Sequence, residues 1–165
     1  MISYGRQYID KKDIDEVVKT LNSHWLTTGP KVELFEKKLK KKLNSKYALV
    51  VNSATSALHL SCMAMGLGQN DIVWTSTNTF VSTANAALLC GAKIDLVDIN
   101  LETYNISTLA LEQKLLKAKR EKKLPKVVIP VHIGGQPCDM KKIYQLSKKY
   151  KFKIIEDASH AIGSK

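Results

Sequence analysis

The sequence has few cysteines and no long apolar run, and these shortages exclude several classes of protein. Its 165 residues include only three cysteines, Cys62, Cys90 and Cys138, which form no CxxC pair, so we expect reduced thiols rather than a disulfide framework. No apolar run approaches the roughly 18 residues that a membrane-spanning helix needs. The first residues also lack the hydrophobic segment of a secretory signal. We therefore expect a cytoplasmic protein that does not interact with membranes.

Arginine is scarce although the net charge is +11. Of the 26 basic residues only Arg6 and Arg120 are arginine, and many of the lysines fall in short runs such as that at 37–42. Nucleic-acid recognition favours the guanidinium fork of arginine and stacking aromatic side chains. The charge therefore indicates a solvated lysine-rich surface, and we expect no nucleic-acid partner.

The composition is that of a globular domain, with 44% hydrophobic and 25% charged residues. Segments with helical spacing alternate with short apolar runs of strand length. This alternation predicts an α/β fold with a mainly parallel sheet and helices on both faces. Ligands of such sheets bind beyond the carboxyl ends of the strands. Helices are predicted over 13–21, 32–43, 54–65, 79–89, 109–121 and 140–150, and strands over 47–51, 72–74, 93–97, 126–131 and 152–155.

The segment after the first predicted strand has the features of a phosphate site. Ser53 is a suitable N-cap, and small residues follow it in the first turn of the predicted helix. Free backbone N–H groups and the helix dipole attract an anion there, and Thr55 and Ser56 offer hydroxyl donors. A capped helix without a ligand explains the same residues equally well.

Three further strand ends carry polar or aromatic residues. Phe80 is suited to stack on a planar ligand, although a lone phenylalanine is more often a core residue. His132 precedes two glycines and either contacts a ligand or caps a turn. Glu156 and Asp157 are adjacent at the end of the predicted strand 152–155, so they point to opposite faces and have different roles. An acid there is suited to a metal, a ribose or a protonated ring nitrogen.

Other common kinds of site are not predicted. The four histidines are far apart in the sequence and show no HExxH spacing, so we expect no metal site. There is no GxSxG elbow for a serine nucleophile. Neither a Walker loop nor a GxGxxG fingerprint is present.

The motifs together resemble the StrS/DegT-type family of sugar aminotransferases, which use pyridoxal 5′-phosphate (PLP). The resemblance runs essentially from end to end, and its ordered set of segments is far more specific than any single one. Segments such as NSATSALHL and EDASHAIG are most similar to the branch of pseudaminic acid biosynthesis. The resemblance implies a fold-type I enzyme, a homodimer when intact, glutamate as the amino donor and a UDP-linked 4-keto-6-deoxy sugar as the acceptor at C4.

The resemblance also assigns roles to single residues. Ala54 and Thr55 match positions that hold the PLP phosphate, and Phe80 matches the aromatic that stacks on the pyridine ring. Asp157 matches the acid paired with the pyridine nitrogen, and His160 lies where relatives approach the phenolic oxygen. The positions that match substrate contacts are Tyr4, His24, Trp25, Leu26 and Thr27.

The family's Schiff-base lysine is expected in a later SFH-x-x-K-like segment, beyond Lys165. Residues 1–165 therefore resemble the N-terminal portion of the PLP-binding large domain, and we expect this chain alone to be inactive. Two alternatives remain open. Some relatives with the same fold carry histidine in place of that lysine and act as sugar dehydratases. A non-catalytic regulator that binds PLP or a sugar would share the same motifs.

Overall fold

The computed structural model describes residues 7–164, which divide into two compact units. The first unit ends at Val50 and the second begins at Val51. The prediction that the whole chain is one portion of a larger domain stays a prediction.

The first unit contains two helices, α1 (Lys11–Leu21) and α2 (Pro30–Leu43). Asp10 caps α1 in a reciprocal capping box with Asp13, which is why the helix begins before the predicted start at residue 13. α2 begins with Pro30, whose missing N–H costs nothing in the first turn. Neither helix contains a buried residue, so this pair contributes no core of its own.

The strand predicted over residues 47–51 is wrong. The segment is assigned neither helix nor strand, although Val50 donates its N–H to the Glu36 carboxylate at 2.9 Å. A strand exists only when its backbone pairs with a neighbour, and no described residue forms a ladder with this segment. An apolar run alone therefore does not make a strand.

The second unit is a four-stranded parallel sheet with helices on both faces, which confirms the predicted fold class. The strands lie in the order β2-β1-β3-β4. In chain order the elements are α3 (Ala54–Ala64), β1 (Ile72–Ser76), α4 (Val81–Leu89), β2 (Lys93–Val97), α5 (Thr108–Arg120), β3 (Val127–Ile129), a 3₁₀ turn (Ile133–Gly135), α6 (Met140–Tyr150) and β4 (Lys153–Ile154).

The direction of the connections decides which face each helix covers. The chain moves one way along the sheet from β1 to β2, and the opposite way from β2 through β3 to β4. Right-handed crossovers then place α4 on one face and α5 and α6 on the other, as is found. The order reverses between β1 and β3, and the carboxyl ends of these strands form a crevice at such a point.

Alternation along the strands divides the core into two layers. Trp74 and Val128 pack with α5 and α6, whereas Val73 and Val127 pack with α3 and α4. Each of these strand residues is at most 2% exposed. Because the central strands β1 and β3 are buried on both faces, their apolar residues follow one another without the alternation of a half-exposed strand.

Proline shortens one predicted strand. The apolar run predicts a strand over 126–131, but β3 ends at Ile129, because Pro130 has no N–H to donate to the ladder. Pairing resumes one residue later, where Val131 bridges Asp157. Asp157 donates its N–H to the Pro130 carbonyl at 2.9 Å, and His132 donates to the Asp157 carbonyl at 3.1 Å. The backbone of Asp157 is therefore held on both sides.

An ion pair at the other end of the sheet gives a testable pH dependence. The Lys126 ammonium lies 2.8 Å from the Asp71 carboxylate and holds the pKa of Asp71 below its ordinary value. The stabilisation is therefore fully present above the ordinary aspartate pKa of about 4, and it is lost as the pH falls through the lower pKa of the folded state. In the protein expressed from its complete gene, Asp71→Asn should lower the free energy of unfolding by about 1 kcal/mol at pH 7.

Urea unfolding at pH 7 and pH 3 checks this expectation. The destabilisation by Asp71→Asn should shrink at pH 3. Asp15→Asn is the control, because its ion pair with Lys11 is exposed and should contribute almost nothing at either pH. An equal loss for Asp71→Asn at both pH values would show that the pair does not supply the stabilisation.

Candidate functional site

A cavity of about 150 Å³ lies at the carboxyl ends of the strands in the second unit. It is lined by the start of α3, the start of α4 and the residues that follow β3 and β4. All five residues predicted to bind the cofactor line it, namely Ala54, Thr55, Phe80, Asp157 and His160. A larger cavity of about 530 Å³ beside α5 contains none of them.

Asp157 is the buried acid of this cavity and is 6% exposed. Its Oδ2 accepts a hydrogen bond from the Thr83 hydroxyl at 2.8 Å, and its Oδ1 accepts from the Ser159 hydroxyl at 2.6 Å and the Ser159 N–H at 3.3 Å. Within residues 7–164, no lysine, arginine or histidine forms an ion pair with it. A buried carboxylate with only uncharged donors is suited to a cationic ligand atom.

The start of α3 carries the partial positive charge of a helix N-terminus. Ser53 is the N-cap, as predicted, and its hydroxyl accepts the Ser56 N–H at 3.2 Å. The N–H groups of Ala54 and Thr55 donate to no acceptor among the described residues. These free donors and the positive end of the helix dipole favour an anion.

Phe80 is not a core residue, so that interpretation of the sequence is wrong. It is the N-cap of α4 and is 71% exposed while lining the cavity. Its backbone is extended, with φ −69° and ψ 140°, which delays the start of α4 from the predicted residue 79 to Val81. An aromatic ring left exposed at a cavity is available to stack on a planar ligand.

His132 lines the cavity and is held in one tautomer. Its Nδ1 accepts the Cys138 N–H at 3.1 Å, so the proton of the neutral ring is on Nε2. Nε2 lies 3.2 Å from the Glu156 carboxylate and donates to it. Glu156 lines a different cavity, beside Met140 and Tyr144, so the two adjacent acids have separate surroundings, as the strand geometry predicted.

A glycine allows the loop after His132 to approach the cavity wall. Gly135 has φ +86°, and a Cβ there would lie 2.7 Å from the His160 carbonyl oxygen. Gly134 also has a positive φ, of +59°, but a Cβ there would meet nothing within 4 Å. Close approach, rather than backbone conformation alone, is what distinguishes Gly135.

The predicted substrate residues belong to a different part of the chain. Tyr4 lies outside the described residues. His24, Trp25, Leu26 and Thr27 lie on the connection between α1 and α2 in the first unit, where all four are exposed. Their role in substrate binding stays a prediction.

Sequence reasoning missed two residues of the site, Thr83 and Ser159. Both donate to Asp157, and Thr83 is 74 residues away from it in the chain. The available signal was the row of hydroxyl residues that leads into α4, which includes Thr79 and Thr83.

Within residues 7–164, no group of three or more histidine, cysteine, aspartate or glutamate side chains is arranged to hold a metal ion. None of the described helices is long and apolar enough to cross a membrane.

Similar proteins were found by sequence. A spore coat polysaccharide biosynthesis protein, SpsC of Bacillus subtilis, is 41% identical over 161 residues, which cover 98% of this chain and 40% of that protein. The UDP-4-amino-4,6-dideoxy-N-acetyl-beta-L-altrosamine transaminase of Campylobacter jejuni is 44% identical over 164 residues, covering 99% of this chain and 42% of that protein. The chain thus spans about 40% of the length of these relatives.

Similar solved structures agree with the sequence relatives. Helicobacter pylori PseC, an aminotransferase of pseudaminic acid biosynthesis, superimposes with a TM-score of 0.89 at 34% identity, covering 99% of this chain and 43% of that one. The PLP form of Spr1654 of Streptococcus pneumoniae superimposes with a TM-score of 0.86 at 30% identity, covering 98% of this chain and 44% of that one. The model of the DegT/DnrJ/EryC1/StrS aminotransferase family matches residues 7–165. The chain therefore belongs to the DegT/DnrJ/EryC1/StrS aminotransferase family.

Proposed function

We propose that the protein containing this chain is a PLP-dependent aminotransferase of nucleotide-linked sugars, and that the 150 Å³ cavity is part of its PLP site. The observation that carries the proposal is the buried carboxylate of Asp157, which lines the same cavity as the free start of α3. A buried anion and an anion-binding helix end complement the two charged ends of PLP, its protonated ring nitrogen and its phosphate.

The residues present fit this cofactor. Ala54 and Thr55 would bind the phosphate through their backbone N–H groups, with the Thr55 hydroxyl as a further donor. Asp157 would face the ring nitrogen, and Phe80 would cover one face of the ring. His160 lines the same cavity and would lie near the phenolic oxygen.

When bound, PLP supplies an electron sink for the carbanion formed as a proton leaves the carbon that carries the amino group. The chain's own residues bind the cofactor, orient it and favour the protonated form of its ring nitrogen. Asp157 holds a proton on the ring nitrogen, because a negative charge beside a base favours its protonated form. Thr83 and Ser159 orient that carboxylate, and α3 anchors the molecule at its other end.

The substrates are proposed from the sequence resemblance and from the names of the relatives. We propose that glutamate donates the amino group to the C4 keto group of a UDP-linked 4-keto-6-deoxy sugar, in pseudaminic acid or related surface-glycan biosynthesis. The transaminase of C. jejuni and the PseC of H. pylori support this choice. The exposed residues His24–Thr27, with Tyr4, are the proposed substrate contacts. The intact protein is proposed to be a cytoplasmic homodimer.

The Schiff-base lysine is proposed to lie outside this chain. No lysine among residues 7–164 lines the cavity. An aminotransferase needs an amine there to hold the cofactor and to move a proton. We therefore propose that the 165-residue chain by itself does not transfer amino groups.

The function is tested with the protein expressed from its complete gene. Addition of PLP should produce a bound-cofactor absorption band, and glutamate should convert it to the band of the pyridoxamine form. A UDP-linked 4-keto-6-deoxy sugar should then restore the first band and yield the 4-amino sugar. Failure to bind PLP would refute the proposal. Loss of water from the sugar without amino transfer would favour the dehydratase alternative, and PLP binding without any turnover would favour the regulator.

A matched pair of variants locates the phosphate. Thr55→Val should weaken PLP binding about tenfold, because it removes a donor to a charged group. Ser61→Ala, in a later turn of the same helix, is the control, since the Ser61 hydroxyl donates only to the Ala57 carbonyl. Equal affinities of the two variants would argue against a phosphate at the start of α3.

A further inference from the structure

Thr83 connects the first turns of α4 to the acid of the cavity. Its side chain is fully buried, and its hydroxyl lies 2.8 Å from Oδ2 of Asp157. The same hydroxyl lies 2.7 Å from the Thr79 hydroxyl. Thr83 is not in the cavity lining, so it reaches the site only through Asp157.

The direction of these hydrogen bonds follows from the number of protons. Thr83 has one hydroxyl proton, which it donates to Asp157. The Thr79 hydroxyl must therefore donate to Thr83. Thr79 thus donates to Thr83, which donates to the buried carboxylate of Asp157. Consecutive hydrogen bonds of this kind polarise and strengthen one another.

The two oxygens of Asp157 are held by different parts of the fold. Ser159 holds Oδ1 and is only two residues away along the chain, so it moves with Asp157. Thr83 holds Oδ2 from another helix, 74 residues away. Thr83 therefore fixes the direction of the carboxylate relative to α4, whose N-cap is Phe80.

We infer that Thr83 is a positioning residue that aims Asp157 at the ring nitrogen of PLP while Phe80, on the same helix, covers the ring. The inference rests on the proposed function. In this arrangement α4 positions both Asp157, through Thr83, and Phe80, its N-cap. The contact of Asp157 with the ring nitrogen and the stacking of Phe80 on the ring are therefore coupled.

The test compares two ligands whose only difference is the atom that Asp157 would face. One is PLP, and the other is the analogue in which carbon replaces the ring nitrogen. Their dissociation constants are measured by absorbance and fluorescence titration of the protein expressed from its complete gene. The ratio of the two dissociation constants reports the contact between Asp157 and the ring nitrogen. A loss of affinity that is common to both ligands leaves this ratio unchanged.

The wild-type protein should bind PLP more tightly than the analogue. Thr83→Val, which keeps the shape but removes the donor, should reduce this preference about tenfold, as expected for one lost hydrogen bond to a charged group. Thr83→Ser, which keeps the hydroxyl, should restore it to within about twofold of wild type. Thr83→Ala should repeat the loss if the valine variant folds poorly.

Thr75→Val is the matched control. Thr75 is also fully buried, and its hydroxyl donates at 2.8 Å to the Ile129 carbonyl instead of to Asp157. It should lower stability without changing the preference for PLP over the analogue. If Thr83→Val weakens both ligands equally, Thr83 is merely structural and the inference is wrong. If the wild-type protein binds neither ligand, the proposed function itself fails, and the two failures are thereby distinguished.

Discussion

Asp157→Asn should lower kcat/KM for amino transfer by about thirtyfold or more. Removing one partner of a buried charge pair costs about 2–5 kcal/mol, and each 1.4 kcal/mol is a factor of about ten. The variant also places a hydrogen-bond donor where the fold requires an acceptor. Both carboxylate oxygens accept hydrogen bonds, from Thr83 and from Ser159, and the asparagine amide would turn an NH₂ group toward one of these donors.

The measurement is steady-state kinetics with glutamate and the sugar nucleotide, together with PLP titration. Glu156→Gln is the control, because Glu156 is the adjacent acid but lines another cavity and is half-exposed. A glutamine oxygen still accepts from Nε2 of His132, so kcat/KM should stay within about threefold of wild type. An Asp157→Asn variant as active as the Glu156→Gln variant would remove Asp157 from the mechanism.

Gly135→Ala should destabilise the protein by about 3 kcal/mol and weaken PLP binding. A positive φ is strained for alanine by about 1 kcal/mol, and the new Cβ would lie 2.7 Å from the His160 carbonyl oxygen. Because that neighbour is backbone, the loop or the segment at His160 must shift. Both His132 and His160 line the cavity, so such a shift changes the shape of the proposed site.

Gly134→Ala separates the clash from the backbone strain. Gly134 shares the positive φ, but a Cβ there has open space around it, so only about 1 kcal/mol is expected. Urea unfolding and PLP titration of the two variants give the comparison. Equal destabilisation by the two substitutions would show that the approach to His160 is not what requires glycine.

Local patterns were sufficient for most of the secondary structure. Helix 140–150 and strand 93–97 were predicted with the bounds that the structure has, and Ser53 was predicted as the cap of α3. These features depend on periodicity and on hydrogen bonds between near neighbours. The apolar run 47–51 has the same local pattern as a buried strand, but it has no pairing partner among the described residues.

The candidate site was also predicted only in part from the sequence. Phe80 and Asp157 were found as candidates because each follows a strand, and parallel strands end at one edge of a sheet, whereas Ala54 and Thr55 follow the apolar run 47–51, which forms no strand. How Asp157 is held was beyond the sequence, because its partner Thr83 is 74 residues distant and several hydroxyl residues near α4 are equally suited to donate. The sequence likewise did not show that Glu156 accepts a hydrogen bond from His132, whereas Asp157 accepts from Thr83 and Ser159.

The sequence alone determined the fold class, the positions of the main helices and strands, and the residue types available at the strand ends. Composition, spacing and short-range hydrogen bonding are properties of neighbouring residues, so they can be read along the chain. Only the tertiary structure decided which hydroxyl reaches Asp157, which tautomer His132 adopts and why Gly135 must lack a Cβ. Each of these depends on the distance between two atoms that folding brings together from separate segments, and no local pattern encodes that distance.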